Sequence, residues 1–363
     1  MDCKELLRQR IKEMTALIGV SGSEWEISKY CYQALEGHVD SLRVLPNGVV
    51  IACKRGRLPG PRVLVTAHMD EVGYMVKSVD AKGFLYFDRL GGATEGCLPG
   101  RRVLVKGSKG VVPGVVGVRA GHLLTAEQMA KPQTVGQSYV DICVNSKEEA
   151  QALGIDIGAQ IVPDAPYKEM QDPDYVTSRA VDCRVMCSVL IEIMKNLNAE
   201  EIHGEVYGVF NILEETTVTS IAGAVLAVQP HYGLFLDTTP CGDVPDCNFD
   251  KELPVALKKG PVLFLSQQFA SVFLCAGSHL KLIQAVRNAA AVSGAKHQEF
   301  AFNGAGIATD AVGGVRFGLA VATLAVPRRF SHSPAELFHM QDVVDAYKIV
   351  DAFLKAEVDL TLD

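Results

Sequence analysis

The sequence predicts an α/β fold: a mostly parallel-core sheet sandwiched by helices, interrupted by a small inserted β-rich domain. Three observations carry this expectation. Short apolar runs of buried-strand type alternate with helical stretches at both ends of the chain, the pattern of a sheet covered on both faces. Between about Gly73 and Pro163 that texture gives way to short strands separated by Gly, Lys-Gly and Pro-Gly turns. The chain has 363 residues, more than one core usually fills. The expected organisation is residues 1–72 with 164–363 as the main domain and residues 73–163 as the insert.

Taken in order, residues 4–17 read as a helix, and Ser23 and Glu26 stand at capping-box spacing ahead of a second helix that runs to about Leu35. "GVVIACKRG" and "PRVLVTA" are short strands. "YMVKSVDAKGFLYFDRLGG", "RRVLVKGSKGVVPGVVG" and "VDICV" supply the strands of the insert. A helix follows Asp182, "EVYGVFNIL" is a strand, "IAGAVLAVQ" a helix and "YGLFL" a strand. "HLKLIQAVRNAAAVSG" is a helix, "GLAVATLAV" a strand, and the last helix spans about Gln341 to Val358.

Composition narrows the function classes. Thirty-five basic and 42 acidic side chains give a net charge of −7 without a basic block, which argues against nucleic acid or an anionic membrane as a partner. The start, "MDCKELLRQR", has no apolar signal core, and no run reaches the roughly 18 apolar residues of a membrane span. The ten cysteines are scattered without a CxxC pair, as for reduced, buried thiols in a cytoplasmic protein.

Ligands of such sheets bind beyond the carboxyl ends of the strands. There the chain puts metal-competent residues: His68 and Asp70 after "VLVTA", Glu214 and Glu215 after "VFNIL", Asp237 after "LFL", and His332 in the loop after the last strand. Asp182, at a helix start, is a further station. Each alone has an ordinary reading as core histidine, helix cap or turn residue. The set, imidazole with carboxylate, suits zinc, manganese or cobalt. His68 and Asp70 project to the same side of an extended chain, so Asp70 can orient the imidazole. Glu214 and Glu215 diverge, so one can bind metal while the other serves as a base.

"AHMDEVG", "AVDCR", "ILEE", "FLD", "TDA" and "RRFSHSPAEL", in this order and spacing, resemble the glutamyl and deblocking aminopeptidases over nearly the whole chain. Some members of that family carry historical endoglucanase names. The resemblance implies a zinc-exopeptidase fold with a PDZ-like dimerisation insert and two divalent ions per subunit, zinc foremost, with cobalt or manganese as alternatives. It further implies short peptide substrates and a homo-oligomer, a dodecamer built from dimers. By resemblance His68 and Asp237 hold the first metal, Asp182 bridges both, Glu215 and His332 hold the second, Glu214 is the general base and Asp70 orients His68. The stretch "GAGIATDAVGG", with Thr309, Asp310 and Ala311, resembles the loop lining the substrate pocket.

This chain departs from the family at Cys183, where relatives usually carry a second aspartate, at Thr216-Thr217 after the paired glutamates, and at Ile307-Ala308 before "TDA". A deacylase or carbohydrate-directed hydrolase on the same scaffold, or a nearly inactive assembly protein, are the alternatives. Alternation along an extended backbone turns Cys183 away if Asp182 faces the ions, so Cys183 is expected not to be a ligand. The resemblance also implies a cis peptide between these two residues.

Overall fold

The structure, a computed structural model, describes residues 2–131, 133–269, 274–302 and 306–360. At its centre four strands run parallel, in the spatial order His203–Asn211, Leu58–His68, Tyr232–Pro240 and Ala320–Arg329. Their interiors are almost continuously apolar, as parallel strands covered on both faces must be. The segments between them carry the helices Val181–Asn196, Ala222–Val228 and Leu280–Ser293. Outside this core the sheet is mostly antiparallel. Val50–Arg55 pairs antiparallel with His203–Asn211, and Glu336–His339 with Ala320–Arg329. Val262–Phe269 pairs antiparallel with Ala320–Arg329 and parallel with Gln298–Phe302. Apart from that one pair, parallel strand pairing among the described residues is confined to the core. The strands Ser41–Val44 and Glu336–His339 follow or precede their partners through short turns, which suffice for antiparallel pairing.

Two strand-end expectations shift. The strand containing Asp237 continues to Pro240, and the strand before the paired glutamates stops at Asn211, leaving Glu214 and Glu215 in the following turn. The second helix, Trp25–Leu35, has no side-chain cap. Instead of a Ser23–Glu26 box, the Glu24 carboxylate accepts the amides of Gly22 and Leu213, tying this turn to the one that carries the glutamates.

The helix Val181–Asn196 is buried on nearly every side, with Cys3–Ala16 and Met340–Lys355 packed against it. Its first residues are not helical: Asp182 is extended, Cys183 is bent at φ −112° and ψ 31°, and the peptide between them is cis. Arg184, fully buried one residue on, fixes this helix start. Its guanidinium donates to the carbonyls of Met69 (2.6 Å), Met14 (2.9 Å) and Leu17 (3.2 Å). Arg179 donates to the carbonyls of Ala16 and Leu17 and grips the buried Glu71 through both carboxylate oxygens. Two arginines thus cap the carboxyl end of the first helix, where cations are favoured, and share one counter-anion. The cluster joins the segment after His68 to the helix bearing Asp182.

The insert is a closed barrel. Its strands pair in the order Gly73–Val79, Leu85–Leu90, Val140–Asp141, Gly110–Val116, Arg102–Gly107 and Gln160–Pro163 around a core that includes Tyr74, Phe87, Val105 and Ile161. Closure pairs the strand edges internally, so uncovered edges do not by themselves demand a partner. The ten cysteines are all free, but only Cys31, Cys53, Cys183, Cys187 and Cys241 are buried; Cys143 and Cys275 are exposed, contrary to the expectation of uniformly buried thiols. Among the described residues no helix is long and apolar enough to cross a membrane.

Removing one partner of a buried ion pair leaves an uncompensated charge. Glu71→Ala should therefore lose about 3–5 kcal/mol of stability, read as a lower urea midpoint at fixed protein concentration; an unchanged midpoint would show that the arginines are neutralised by the helix carbonyls alone.

Candidate metal centre

Strand register builds the first half of the site. Phe235 pairs with Thr66 on the neighbouring parallel strand. Two residues further, Asp237 and His68 are level and on the same face, because side chains alternate. His68 Nε2 lies 3.8 Å from Asp237 Oδ1 and 3.1 Å from Asp182 Oδ1, which arrives from the helix start beneath. The second half comes from loops. His332 Nε2 lies 3.3 Å from Asp182 Oδ2 and 3.3 Å from Glu215 Oε2. Asp182 belongs to both groups, one oxygen facing each. The donor atoms of His68, Asp182, Cys183 and Asp237 lie within 4.8 Å of one another, as do those of Asp182, Glu215 and His332.

Cys183 thus stands closer to the ligands than alternation along an extended chain allows. The reason is the bent backbone at Cys183 itself. Its Sγ is also 3.6 Å from the carbonyl oxygen of Leu236, to which it donates.

Asp70 has a broader part than orienting one imidazole. Its Oδ1 is 3.3 Å from His68 Nδ1, a contact whose alignment falls short of a hydrogen bond. Its firm bonds come from the Ser21 hydroxyl (2.6 Å) and the backbone amides of Glu214 and Glu215 (3.1 Å each). One carboxylate thereby fixes the turn that presents both glutamates. Glu214 Oε2 reaches to 3.9 Å from His68 Nε2.

Two residues that sequence reasoning missed complete the centre. Arg328, buried at the end of the last parallel strand, contacts Asp182 Oδ2 through Nη2 and Glu336 Oε1 through Nη1 (2.6 Å). Glu336 in turn accepts the amides of Asp182 (3.2 Å) and His332 (2.9 Å). Nothing in "PRRFSHSPAEL" separates Arg328 from its neighbour Arg329, which points to Asp243 instead. Period-two alternation at the strand end is the only hint that one arginine of the pair turns inward.

A cleft of about 240 Å³ opens beside the centre, lined in part by Glu214, Thr238, Ile307, Ala308 and Thr309. Asp310 and Ala311 do not line it. Asp310 is held by the Asn211 amide at 2.8 Å, and Ala311 is buried at the start of a short helix. Gly304 and Ala305 of the same motif lie outside the described residues.

The insert is not separate from the site. A Cβ on Gly92 would come within 2.6 Å of His332 Nδ1, and the Thr94 amide donates to the His332 carbonyl at 3.2 Å.

Electrostatics show what the donor set favours. Burial and neighbouring carboxylates push Glu214 well above its usual range and Glu215 up to about 8. Burial, opposed by His68, also raises Asp237. Burial would lower His332, but Glu215 and Asp182 outweigh it and hold it at about 9. For Asp182 the order reverses: burial raises it, but Arg328, His332 and His68 bring it well below the carboxylate range. So many carboxylates around two imidazoles call for further cations, and Glu215 Oε1 is buried without a hydrogen-bond partner among the described residues. The donor set and this orphaned oxygen fit divalent ions.

An α/β sheet that gathers imidazole and carboxylate at its carboxyl edge, beside a cleft, is built as a metal-using hydrolase. The chain belongs to the M42 glutamyl aminopeptidase family, whose sequence model matches residues 48–349; it is a hydrolase acting on peptide bonds. It is 31% identical over 356 residues to the putative aminopeptidase FrvX of Escherichia coli (strain K12), covering 96% of this chain and 94% of that protein. The aminopeptidase APDkam598 of the archaeon Desulfurococcus kamchatkensis superposes with a TM-score of 0.90 at 26% identity, over 98% of this chain and 96% of that one. The Pyrococcus horikoshii TET1 peptidase, which can assemble into a tetrahedron or a large octahedral shell, gives 0.82 at 27% identity, over 96% and 99%.

Because Asp70 holds both glutamate amides, Asp70→Ala should weaken metal binding roughly 10–100-fold, the usual effect of losing a group that orients ligands. Calorimetric titration of the metal-free protein reads this; wild-type affinity would limit Asp70 to local folding.

Proposed function

We propose that this protein is a dinuclear metal-dependent aminopeptidase that releases N-terminal residues from short peptides. The observation that carries the reading is Asp182, whose two oxygens face two separate groups of donors. His68 and Asp237 would hold one ion, Glu215 and His332 the other, with Asp182 common to both; zinc suits the donors best, and cobalt or manganese are accepted by the same set. When bound, the ions would polarise the scissile carbonyl and acidify the attacking water.

The chain's own residues supply the rest. Glu214, which lines the cleft with Oε2 3.9 Å from His68 Nε2, takes the water's proton and passes it to the leaving amine. Asp70 keeps the Glu214 turn and His68 in register. The cleft by Thr238, Ile307, Ala308 and Thr309 would receive the N-terminal residue.

The same reading takes residues 1–72 and 164–363 as the catalytic domain and residues 73–163 as a PDZ-like dimerisation domain of a cytoplasmic dodecamer built from dimers. Support comes from the assembling relative and from the insert's exposed apolar side chains Val118, Leu123 and Met129. Its free thiols fit a reducing compartment.

Glu214→Gln should keep its metal and lose about 10²–10⁴-fold in turnover of aminoacyl-p-nitroanilides, whereas Glu215→Ala should lose metal as well. Metal analysis beside the assay separates the two roles, and wild-type turnover by Glu214→Gln would remove the base assignment. Equal or better turnover of N-acylated substrates would point to a deacylase instead.

Light scattering at micromolar concentration should give a mass several times that of the 39.1 kDa chain. Charged replacements at Leu123 and Met129 should reduce it; a monomeric wild type would sink the assembly reading.

A further inference from the structure

The two halves of the centre do not share Asp182 on equal terms. Its Oδ1 faces His68, while its Oδ2 faces His332 and also carries the Arg328 guanidinium. Arg328 cannot swing away easily. Nε donates to Thr238 Oγ1 at 2.6 Å, Nη1 to the Ser331 hydroxyl and to Glu336 Oε1, and Nη2 to Asp182. Four of its five N–H groups are thus engaged with protein, so it does not present a free fork for a substrate carboxylate. What it does present is a fixed positive charge on one oxygen of the shared carboxylate.

A carboxylate oxygen has lone pairs enough for a guanidinium N–H and a cation together. The N–H nevertheless draws electron density from that oxygen, and the guanidinium repels a dication beside it. The ion facing His68 is approached through the other oxygen and is affected less. Glu336 neutralises Arg328 overall, but its oxygens are taken up by Arg328 and by the amides of Asp182 and His332.

We propose that Arg328 makes Asp182 an unequal bridge, so that the ion held by Glu215 and His332 binds more weakly than the ion held by His68 and Asp237. The second position then fills only at higher metal concentration, and the protein passes through a singly loaded state. Arg328 is a positioning residue here: it acts on the metal through Asp182. This rests on the dinuclear reading above.

Calorimetric titration of chelator-stripped protein with Zn²⁺ tests it, with Co²⁺ absorption as a second readout. Wild type should show two resolved steps. Arg328→Gln/Glu336→Gln removes both charges together, and its second step should tighten roughly 10–100-fold while the first moves less. Arg328→Gln alone leaves Glu336 as an additional anion and should tighten the second step at least as much; it stands in if the double variant does not fold. A merely structural role predicts the opposite, a looser site in both. Two equal steps in wild type, or a second step no tighter in either folded variant, would overturn the role of Arg328 while leaving two ions in place. Uptake of a single ion at saturation, in wild type and variants alike, would sink the dinuclear reading and this inference with it.

Discussion

One buried carboxylate organises the centre. Asp182 sits where a helix start, a strand pair and two loops meet, and each of its oxygens serves a different group of donors. An anion that far from water persists only if it is over-supplied with partners. Here Arg328, His332, His68 and the interlock of its own amide with Glu336 provide them. Its helix start is anchored in turn by Arg184 and Arg179, through Glu71 and the last carbonyls of the first helix. Polar residues buried deep in an otherwise apolar core thus connect the amino terminus of the chain to the chemistry.

The sequence makes the strand-borne part of the site legible because strands obey a rule that needs no tertiary knowledge. An apolar run followed by His or Asp marks a carboxyl edge, and "VLVTAHMD" and "LFLD" follow that pattern even though the Asp237 strand continues past its aspartate. The loop-borne part is legible only as a set. Glu214 and Glu215 read as a loop entry until Asp70 is seen to hold both amides, a contact across 144 and 145 residues of sequence. Cys183 misleads because alternation fails where the backbone bends. Arg328 and Glu336 are invisible, since a pair of arginines at a strand end looks solvated from either side.

The sheet and insert show the same limit at larger scale. Apolar runs identify the parallel core, but the antiparallel margins depend on turns and on strands such as Tyr175–Ser178, whose composition does not set them apart from loop. The insert's glycine-rich texture reveals short strands but not their closure, nor that its loop at Gly91 and Gly92 packs on Glu215 and His332. A side chain at Gly92 would collide with the His332 ring, and one at Gly91, where φ is +74°, would meet Val72 at 2.9 Å and crowd Glu215 at 3.2 Å, so glycine there suits the site.

The two donor groups therefore differ in construction as well as in charge. His68 and Asp237 sit on adjoining parallel strands whose hydrogen bonds and apolar neighbours hold them to a fixed spacing. Glu215 and His332 sit on loops. His332 has φ +56° and Phe330 φ +61°, left-handed values that non-glycine residues adopt only when surroundings impose them. What imposes them is Glu336 on the His332 amide and the insert's Thr94 on its carbonyl. A ligand held this way depends on contacts made by another part of the chain. The insert thus meets the loop pair directly, through Gly91 and Gly92 against Glu215 and His332, while the strand pair is positioned by the sheet.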